Sequence, residues 1–395
     1  MLKYCGVEKS QDGFFQQSVK TKENIMATST VWFWNLRASR KAPFEQRMHR
    51  LLKAAGAAEH VRPGDLLALK MHFGEAGVTA FITPIHVRPI VDFFRKAGAK
   101  PFLTDTNTLY AGQRGEAVSH KLQAAQHGFD PNILGAPVII ADGLRSTNEA
   151  AVPFKGKHIS TAYLAGDIVN ADLLVTLSHF KGHELAGFGG ALKNVAMGCA
   201  TRRGKMQQHG CLAPQVHPDN CKGCGICVEV CAPGALRMDE DKRISVDKDL
   251  CAGCGACFHA CAHHGVEIDW NTDINEFLGR MMEYAAATLL TRAKPTLHVS
   301  FVMGVTPNCD CVGYSDAPVC PDIGVLASWD PVALDQACLD LVTAAPPLYP
   351  SSLPAGLRPG QDKLHALTPS LPPDMGLAYA ESLGLGSRAY EIKAV

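Results

Sequence analysis

Short apolar runs alternate with longer amphipathic stretches along most of the chain. The apolar runs are rich in β-branched and aromatic residues and are bounded by turn residues, which predicts strands. These runs occupy residues 30–36, 66–73, 100–105, 136–142, 172–180, 296–305 and 324–330. In the stretches between them apolar residues recur every three or four positions, which predicts helices. The predicted helices occupy residues 43–58, 86–99, 115–128, about 272–292 and the segment that follows Asp330-Pro331.

This alternation predicts an α/β fold with a doubly wound, mostly parallel sheet. It stops after the fifth strand and resumes with the long helix. We therefore expect one discontinuous α/β domain (residues 30–214 and 271–345) with an inserted domain at residues 215–270. Residues 1–29 lack periodicity and are interpreted as an unstructured tail or a misassigned start. Residues 346–395 begin with a stretch rich in proline and serine, which predicts a C-terminal loop and a short helix.

The inserted segment carries the same cysteine pattern twice. CKGCGICVEVC (221–231) and CAGCGACFHAC (251–261) both have the spacing C-x2-C-x2-C-x3-C. This spacing is typical of bacterial ferredoxins with two 4Fe-4S clusters, in which the fourth cysteine of each copy binds the other cluster. The predicted ligands are Cys221, Cys224, Cys227 and Cys261 for one cluster and Cys251, Cys254, Cys257 and Cys231 for the other. Zinc ribbons use paired C-x2-C knuckles, so the pattern favours a ferredoxin-like α+β domain over structural zinc.

Charge and cysteine content narrow the range of functions. The chain has 395 residues with 38 basic and 38 acidic side chains, so its formal net charge is zero. This balance provides no electrostatic surface for nucleic acid, and no apolar stretch is long enough for a membrane span. Fifteen cysteines in a long chain without an apolar leader argue for metal binding in a reducing compartment. We therefore expect a cytoplasmic protein.

Polar, titratable side chains follow several of the predicted strands. Ligands of open α/β sheets bind at the carboxyl ends of the strands, so these side chains are candidates for a ligand-binding or catalytic site. The candidates are His72, Asp105, Asn107, His179, Lys181, His183 and Lys193. Lys193 lies in the glycine-rich turn GFGGALKN (187–194), whose backbone amides favour anions. For any single histidine, a hydrogen bond within the core is the alternative role.

Two further segments are candidates for chemistry. RRGKMQQH (202–209) is a basic patch suited to a phosphate or a carboxylate, with a solvated surface as the alternative. The CDC sequence at 309–311 makes Cys309 and Cys311 a candidate extra metal or redox site. Ordinary buried cysteines are the alternative there.

Several separated motifs resemble those of one known family. They are DTNTLYAGQR (105–114), SHFKGHELAGFGGALKN (178–194), MGCATRRGKMQQH (197–209), the two cysteine motifs, NCDC (308–311) and PDIGVLASWDPVALDQA (321–337). Together they resemble the domain-of-unknown-function 362 iron–sulfur proteins, which implies a cluster-binding prokaryotic protein but no particular reaction. HELAGFGGALK (183–193) is also similar to a segment of nickel-dependent lactate racemases with a histidine and a lysine ten positions apart. That similarity leaves a nickel cofactor open, and nothing else in the sequence favours racemase chemistry.

Three functions remain as hypotheses. The first is an iron–sulfur redox protein whose two 4Fe-4S clusters relay electrons to a ligand or partner site on the α/β domain, which would make it an oxidoreductase. The second is a ferredoxin-type electron carrier with the α/β domain as a docking module. The third is a maturation protein that handles a metal or cofactor through Cys309 and Cys311. The expected partners are a redox donor or acceptor protein, or a small-molecule substrate.

Overall fold

The structure, a computed structural model, describes residues 28–110, 112–211, 213–268, 273–372, 374 and 376–395. The predicted tail of residues 1–29 lies outside this part of the chain except for its last two residues. The strands are β1 (Ser29–Trp34), β2 (Leu66–Lys70), β3 (Lys100–Asp105), β4 (Val138–Ile140), β5 (Glu149–Pro153), β6 (Thr161–Ala165), β7 (Leu173–His179), β8 (Lys181–His183), β9 (Gly187–Gly189), β10 (Gln215–Val216), β11 (Leu236–Met238), β12 (Ile244–Val246), β13 (Val266–Glu267), β14 (Leu297–Val302), β15 (Gly324–Ser328) and β16 (Tyr390–Ala394). The helices are α1 (Phe44–Ala54), α2 (Pro84–Lys96), α3 (Ala117–Gln126), α4 (Pro131–Leu134), α5 (Gly166–Asn170), α6 (Ala191–Ala196), α7 (Arg202–Gln208), α8 (Ile226–Glu229), α9 (Ala256–Ala260), α10 (Ile274–Leu290), α11 (Pro331–Ala344), α12 (Lys363–Leu367) and α13 (Leu377–Ser382).

Eight strands form the central sheet in the order β16-β1-β15-β14-β7-β2-β3-β4. The pairs β1–β16, β14–β7, β7–β2, β2–β3 and β3–β4 are parallel, whereas β15 is antiparallel to both β1 and β14. Seven strands of this sheet therefore point in one direction, and β15 points in the other. The predicted mostly parallel α/β sheet is confirmed.

Helices cover both faces of the sheet because successive strand residues point to opposite sides. Leu67 and Leu69 of β2 pack against α1 and α2, in a core that includes Met48 and Val91. Ala68, between those leucines, faces the other side and packs near α5. Further along that second face, α6, α10 and α11 form the other large core. Within the described residues, no helix has the length and apolar character needed to cross a bilayer.

The expectation of a C-terminal loop with one short helix is wrong. Residues 346–395 contain α12, α13 and β16, and β16 joins the central sheet beside β1. Four of the five residues of β16 are exposed, so this edge strand lacks the apolar alternation from which strands are predicted. The α/β part of the protein therefore extends to the last residues of the chain.

Residues 215–268 form a small unit within the α/β fold. It contains two antiparallel two-stranded sheets, β10–β13 and β11–β12, and the short helices α8 and α9, which contact each other. Each helix begins after a tight turn in which Gly225 (φ 79°) or Gly255 (φ 72°) adopts the left-handed conformation that glycine tolerates best. Cys227 and Cys257 lie in the buried core of this unit.

Candidate functional site

A cavity of about 280 Å³ opens at the carboxyl edge of the sheet. It lies beyond the ends of β2, β3 and β7, next to the β8–β9 hairpin, α6, α7 and the loop after β14. The residues predicted from the sequence that line it are His72, Asp105, His179, Lys181, His183, Lys193, Cys309 and Cys311. They come from five separate stretches of the chain, and their shared position at the strand ends brings them together.

Asn107 is the predicted site residue that does not line the cavity. Its side chain is buried, and Nδ2 donates to Asp142 Oδ1 at 2.9 Å and to the carbonyl oxygen of Gly143 at 2.8 Å. Its backbone N–H also donates to Asp142 Oδ1, at 3.0 Å. These contacts satisfy the buried carboxylate of Asp142, which requires such donors, and the binding role of Asn107 stays a prediction.

Buried charges in contact with one another form one wall of the cavity. Lys70 Nζ lies 2.9 Å from Asp105 Oδ1, and Arg114 Nη1 lies 3.2 Å from Asp105 Oδ2. Arg114 Nε also lies 3.2 Å from Glu75 Oε2, and Nη2 donates to the Tyr110 hydroxyl. Burial alone would raise the pKa of Asp105, but the neighbouring positive charges, chiefly that of Lys70, hold it well below its usual value. The Asp105 carboxylate is therefore ionised and fixes both cations in place.

Among the polar residues that line the cavity, Arg114 and Tyr110 were not candidates from the sequence, and Lys205 was included only as part of the basic segment 202–209. Lys205 lies on α7, where Nζ donates to Thr106 Oγ1 at 2.6 Å and to the Ala200 carbonyl oxygen at 2.7 Å. Burial lowers the pKa of Lys205 to about 8, so this ammonium group loses its proton far more readily than an exposed lysine. The basic segment 202–209 was the feature of the sequence that pointed towards it.

The CDC turn is held in place through its central aspartate. His179 Nδ1 lies 2.8 Å from Asp310 Oδ1, and Lys181 Nζ lies 3.3 Å from Asp310 Oδ2. The other ring nitrogen of His179 lies 2.9 Å from the Met303 carbonyl oxygen. Burial alone would raise the pKa of Asp310, but His179 and Lys181 hold it well below its usual value. Both ring nitrogens of His179 thus face oxygen atoms, which fixes the orientation of the imidazole ring beside the turn.

Two sulfurs and an imidazole converge beside this turn. One ring nitrogen of His183 and the sulfurs of Cys309 and Cys311 all lie within 4.8 Å of one another. Lys193 Nζ donates to Cys309 Sγ at 3.6 Å. The hydrogen bond from Cys311 and the charge of Lys193 hold the pKa of Cys309 well below its usual value, whereas that of Cys311 is raised well above it. This arrangement suits a soft metal ion or a reactive thiol pair.

The side chain of Asp335 binds the backbone N–H groups at the amino end of α6. The Asp335 carboxylate of α11 accepts hydrogen bonds from the backbone N–H groups of Ala191 and Leu192 at 2.7 and 2.9 Å. Burial raises the pKa of Asp335 to about 7. The expectation that the amides of this glycine-rich turn bind an external anion is therefore wrong, because Asp335 occupies them.

The cysteines of the small unit group across its two motifs. Cys261, from the second motif, lines a small cavity together with the first three cysteines of the first motif, Cys221, Cys224 and Cys227. The second grouping surrounds Cys257. Burial and the nearby sulfurs of Cys254, Cys251 and Cys231 raise the pKa of the Cys257 thiol to about 12. These groupings contain the same residues as the two predicted ligand sets, and the binding of clusters by them stays a prediction.

The fourth cysteine of each motif has the same backbone environment. The N–H of Ala235 donates to Cys231 Sγ at 3.2 Å, and the N–H of Gly265 donates to Cys261 Sγ, also at 3.2 Å.

Within the described chain, neither set of cysteines brings three sulfurs within 4.8 Å of one another. Around one zinc ion, with Zn–S of about 2.3 Å, ligand sulfurs stand about 3.8 Å apart. The sulfurs are therefore spaced too widely for a single ion.

The second motif lies beside the wall of the large cavity. A Cβ on Gly253 would stand 3.1 Å from Arg203 Cγ at the start of α7, and the same helix presents Lys205 to the cavity. Phe258 of α9 packs against a small apolar cluster that includes Leu109, which also lines the cavity. α7 and the loop around Leu109 thus contact the second motif on one side and the cavity on the other.

Comparison with known proteins places the chain in a family. Residues 67–340 match the family described as Domain of unknown function (DUF362). The sequence matches none of the curated proteins. The lactate racemase apoprotein from Thermoanaerobacterium thermosaccharolyticum is similar in structure, with 12% identity, a TM-score of 0.37, and coverage of 70% of this chain and 51% of that one. A protein from Thermotoga maritima is similar with 10% identity, a TM-score of 0.40, and coverage of 76% and 59%. This chain thus spans less than two thirds of either solved chain. Because the family match covers more than half of its length, the protein belongs to the DUF362 family.

Proposed function

We propose that this chain is an iron–sulfur redox protein that holds two 4Fe-4S clusters in residues 215–270 and passes electrons to a ligand or partner at the large cavity. The residues fit such groups because each cysteine set combines three members of one motif with the fourth of the other. The two short helices and paired strands of this unit are consistent with a ferredoxin-like α+β insert. When bound, the clusters supply one-electron storage at two neighbouring positions.

The position of the second motif is the observation that carries the proposal. α7 and the loop around Leu109 connect that motif to the cavity without an intervening domain. Arg202 and Arg203 at the start of α7 place positive charge next to Cys254 and Cys251, respectively. Such charges offset the negative charge of thiolate ligands. The ligand set of Cys251, Cys254, Cys257 and Cys231 would therefore hold the cluster nearer the cavity.

The cavity also separates this proposal from that of a simple electron carrier. A carrier needs its clusters and a docking surface, whereas this chain places five cationic side chains around the cavity. Lys70, Arg114, Lys181 and Lys205 are buried, and Lys193 is partly buried. Burying charged groups is costly, so a cavity of this kind is typical of a binding or reaction site. We therefore place the protein among the oxidoreductases, with a redox protein as electron donor and a small molecule as acceptor.

The test is anaerobic purification followed by iron, sulfide and full metal analysis. We expect about eight irons and eight sulfides per chain. Cys224→Ser and Cys254→Ser form a matched pair, one in each ligand set, and each should lower the iron content to about half. Iron far below this level, with zinc in its place, would refute the cluster assignment.

A metal-handling role is the second candidate function. The observation that favours it is the approach of His183, Cys309 and Cys311 within 4.8 Å, which gives one nitrogen and two sulfur donors. The same metal analysis distinguishes the two functions. A stoichiometric extra metal that disappears in both Cys309→Ser and Cys311→Ser would support metal handling.

A further inference from the structure

We propose that Cys309 and Cys311 form a redox-active dithiol–disulfide pair in the cavity wall, which reduces small anionic disulfides. The geometry around the CDC turn supports the thiol pair. Its supply of electrons from the cysteine-rich insert rests on the proposed function above, and the experiment below tests the two parts separately.

The turn holds the two sulfurs on the same side. It is closed by the hydrogen bond from the N–H of Val312 to the carbonyl oxygen of Cys309 at 3.0 Å. Between the cysteines, Asp310 is fixed by His179 and Lys181, and its carbonyl oxygen accepts the N–H of Glu75 at 3.0 Å. The sulfurs of Cys309 and Cys311 lie within 4.8 Å of each other, so joining them requires only a small adjustment of a fixed turn.

Hydrogen-bond donors converge on Cys309 in particular. The ammonium group of Lys193 lies 3.6 Å from its sulfur, and Cys311 and His183 also donate to it. Cationic and N–H donors stabilise a thiolate over a thiol, and the thiolate is the nucleophile in thiol–disulfide exchange. Cys309 is thus the attacking residue, and Cys311, which keeps the proton, is the resolving residue.

His183 is oriented as a donor to sulfur rather than as a metal ligand. Its Nδ1 accepts the backbone N–H groups of Leu185 at 3.1 Å and Ala186 at 3.0 Å. The proton of the neutral ring is therefore on Nε2, so the hydrogen bond from His183 to Cys309 comes from that nitrogen. A histidine bound to a metal usually donates its second nitrogen to an acceptor, which is the opposite arrangement. This tautomer favours the thiol pair over a metal centre.

The reaction is a thiol–disulfide exchange. The Cys309 thiolate attacks one sulfur of a bound disulfide R–S–S–R, so that a Cys309–S–S–R bond forms and one R–S⁻ leaves. Cys311 then attacks Cys309 Sγ and passes its proton to the second R–S group, which leaves as R–SH. The pair is now a disulfide, and its restoration takes two electrons and one proton. Two one-electron cofactors in the insert match this requirement.

The cavity favours a negatively charged disulfide. Lys181 and Lys193 flank the CDC turn, and the ammonium group of Lys205 contacts only the neutral oxygens of Thr106 and Ala200 within hydrogen-bonding distance in the described structure. A carboxylate on the substrate would find these cations within the same enclosed space of about 280 Å³. An aromatic disulfide that carries carboxylates, 5,5′-dithiobis(2-nitrobenzoate), is therefore a suitable probe.

The experiment mixes reduced protein with this probe under anaerobic conditions. Peptide mass spectrometry then follows alkylation of the denatured protein. In the wild type we expect rapid release of two thionitrobenzoate groups at this site. The peptide that contains residues 309–311 should be two hydrogens lighter than its dithiol form and should not be alkylated. Cys311→Ser should release one group and retain a mixed disulfide on Cys309. Cys309→Ser should react at least about ten-fold more slowly at this site. Cys320→Ser, a buried cysteine outside the cavity, is the matched control and should behave like the wild type.

Two results would overturn the thiol pair. One is a stable mixed disulfide on wild-type Cys309, which would show that Cys311 does not resolve it. The other is a stoichiometric metal at these cysteines that prevents loss of the two hydrogens. Either result would be decisive because both are read from the peptide and do not require turnover.

Cys254→Ser separates this inference from the proposed function. Dithiothreitol should reduce the Cys309–Cys311 disulfide in this variant as in the wild type, since it needs no cluster. Reduced methyl viologen should reduce the disulfide much faster in the wild type than in Cys254→Ser. Equal rates with viologen would refute electron supply through the insert while leaving the thiol pair intact.

Discussion

Buried side chains of opposite charge determine the shape of the cavity. Asp105 contacts Lys70 and Arg114, and Asp310 contacts His179 and Lys181. Removing one partner of such a buried pair costs about 3–5 kcal/mol, because the other charge is left without compensation. Substitutions at these aspartates would therefore report mainly on folding. Lys193 and His183, whose partner is a sulfur, are better suited to questions about chemistry.

Strand prediction located several of the site residues, but it did not identify two that reach the cavity from a loop and a helix. Asp105 and His179 are the last residues of β3 and β7, so a strand prediction also locates them. Arg114 comes from a loop and Lys205 from a helix, and both are buried. Arginine and lysine are normally placed at the surface by pattern reasoning, because they are rarely buried without a partner. Their partners become visible only in the folded chain.

Asp335 gives a prediction of pH-dependent stability. Its pKa is 3.8 in the unfolded chain and about 7 in the folded protein, so the folded state retains a proton that the unfolded state has lost. The resulting stabilisation is fully present below pH 3.8 and disappears as the pH rises through about 7. Between about pH 5.5 and about pH 7 we expect the free energy of unfolding of the wild type to fall by about 2 kcal/mol relative to Asp335→Asn.

The measurement is anaerobic equilibrium unfolding of both proteins across this pH range. Asparagine keeps an oxygen acceptor for the amino end of α6 but has no carboxyl group to titrate. A constant difference between the two proteins would show that Asp335 is not protonated in the folded state.

At the scale of elements, the β8–β9 hairpin and the loop after β14 are joined backbone to backbone. The N–H of Gly182 in β8 donates to the Thr306 carbonyl oxygen at 2.8 Å. A Cβ on Gly182 would stand 2.1 Å from the Pro307 carbonyl oxygen, which is far closer than any real contact. His183 and Cys309 therefore meet because the strand and the loop that carry them have no side chain between them.

Gly182→Ala should separate these two elements. The new methyl group meets main-chain atoms that cannot rotate away, so we expect a loss of about 1–3 kcal/mol in stability and slower alkylation of Cys309 by iodoacetamide. Gly189→Ala, on the paired strand β9, is the matched control, because the three atoms nearest its methyl group would all belong to the Lys181 side chain, at 3.1 to 3.5 Å, and none to the main chain. Thermal unfolding and peptide mapping measure both effects. Equal behaviour of the two variants would contradict the close approach described here.

Most elements of the fold could be predicted, but not all of their directions. The apolar run of β15 is fully buried and resembles the other strands of the sheet, so nothing in its sequence shows that it runs antiparallel to β1 and β14. The three-residue strands β8 and β9 are too short for a periodic pattern. β16 is mostly exposed and pairs with β1, which lies about 360 residues away in the sequence. Long-range pairing of this kind has no local sequence pattern.

At the scale of the whole molecule, the two cysteine sets differ in their surroundings. Gly253 and Gly255 of the second motif pack against Arg203 and Arg202 of α7. In the first motif Cys224 is exposed, and a Cβ on Gly223 would meet Lys242 of the same small unit. One set thus lies against α7, and the other lies within the small unit of residues 215–268.

This difference predicts the order in which the proposed clusters are lost in air. Oxygen should reach the set that contains exposed Cys224 first, so Cys221 and Cys224 should become open to alkylation before Cys251 and Cys254. Iron analysis and peptide mapping over a time course of air exposure measure this order. Cys224→Ser, which lacks a ligand of the outer set, should show only the slow phase. Simultaneous loss of both sets would contradict the asymmetry.

The reversed direction of β15 has a consequence for engineering. Val302, the last residue of β14, is the register partner of Gly324, the first residue of β15. Residues 303–323, which carry Cys309 and Cys311, therefore leave the sheet and return to it at neighbouring positions on one edge. A segment anchored in this way is an exchangeable cassette, since the distance that a replacement must bridge is set by one pair of adjacent strands. Libraries built in this segment that retain Asp310 would change the chemistry at the cavity while the eight-stranded scaffold keeps its connections.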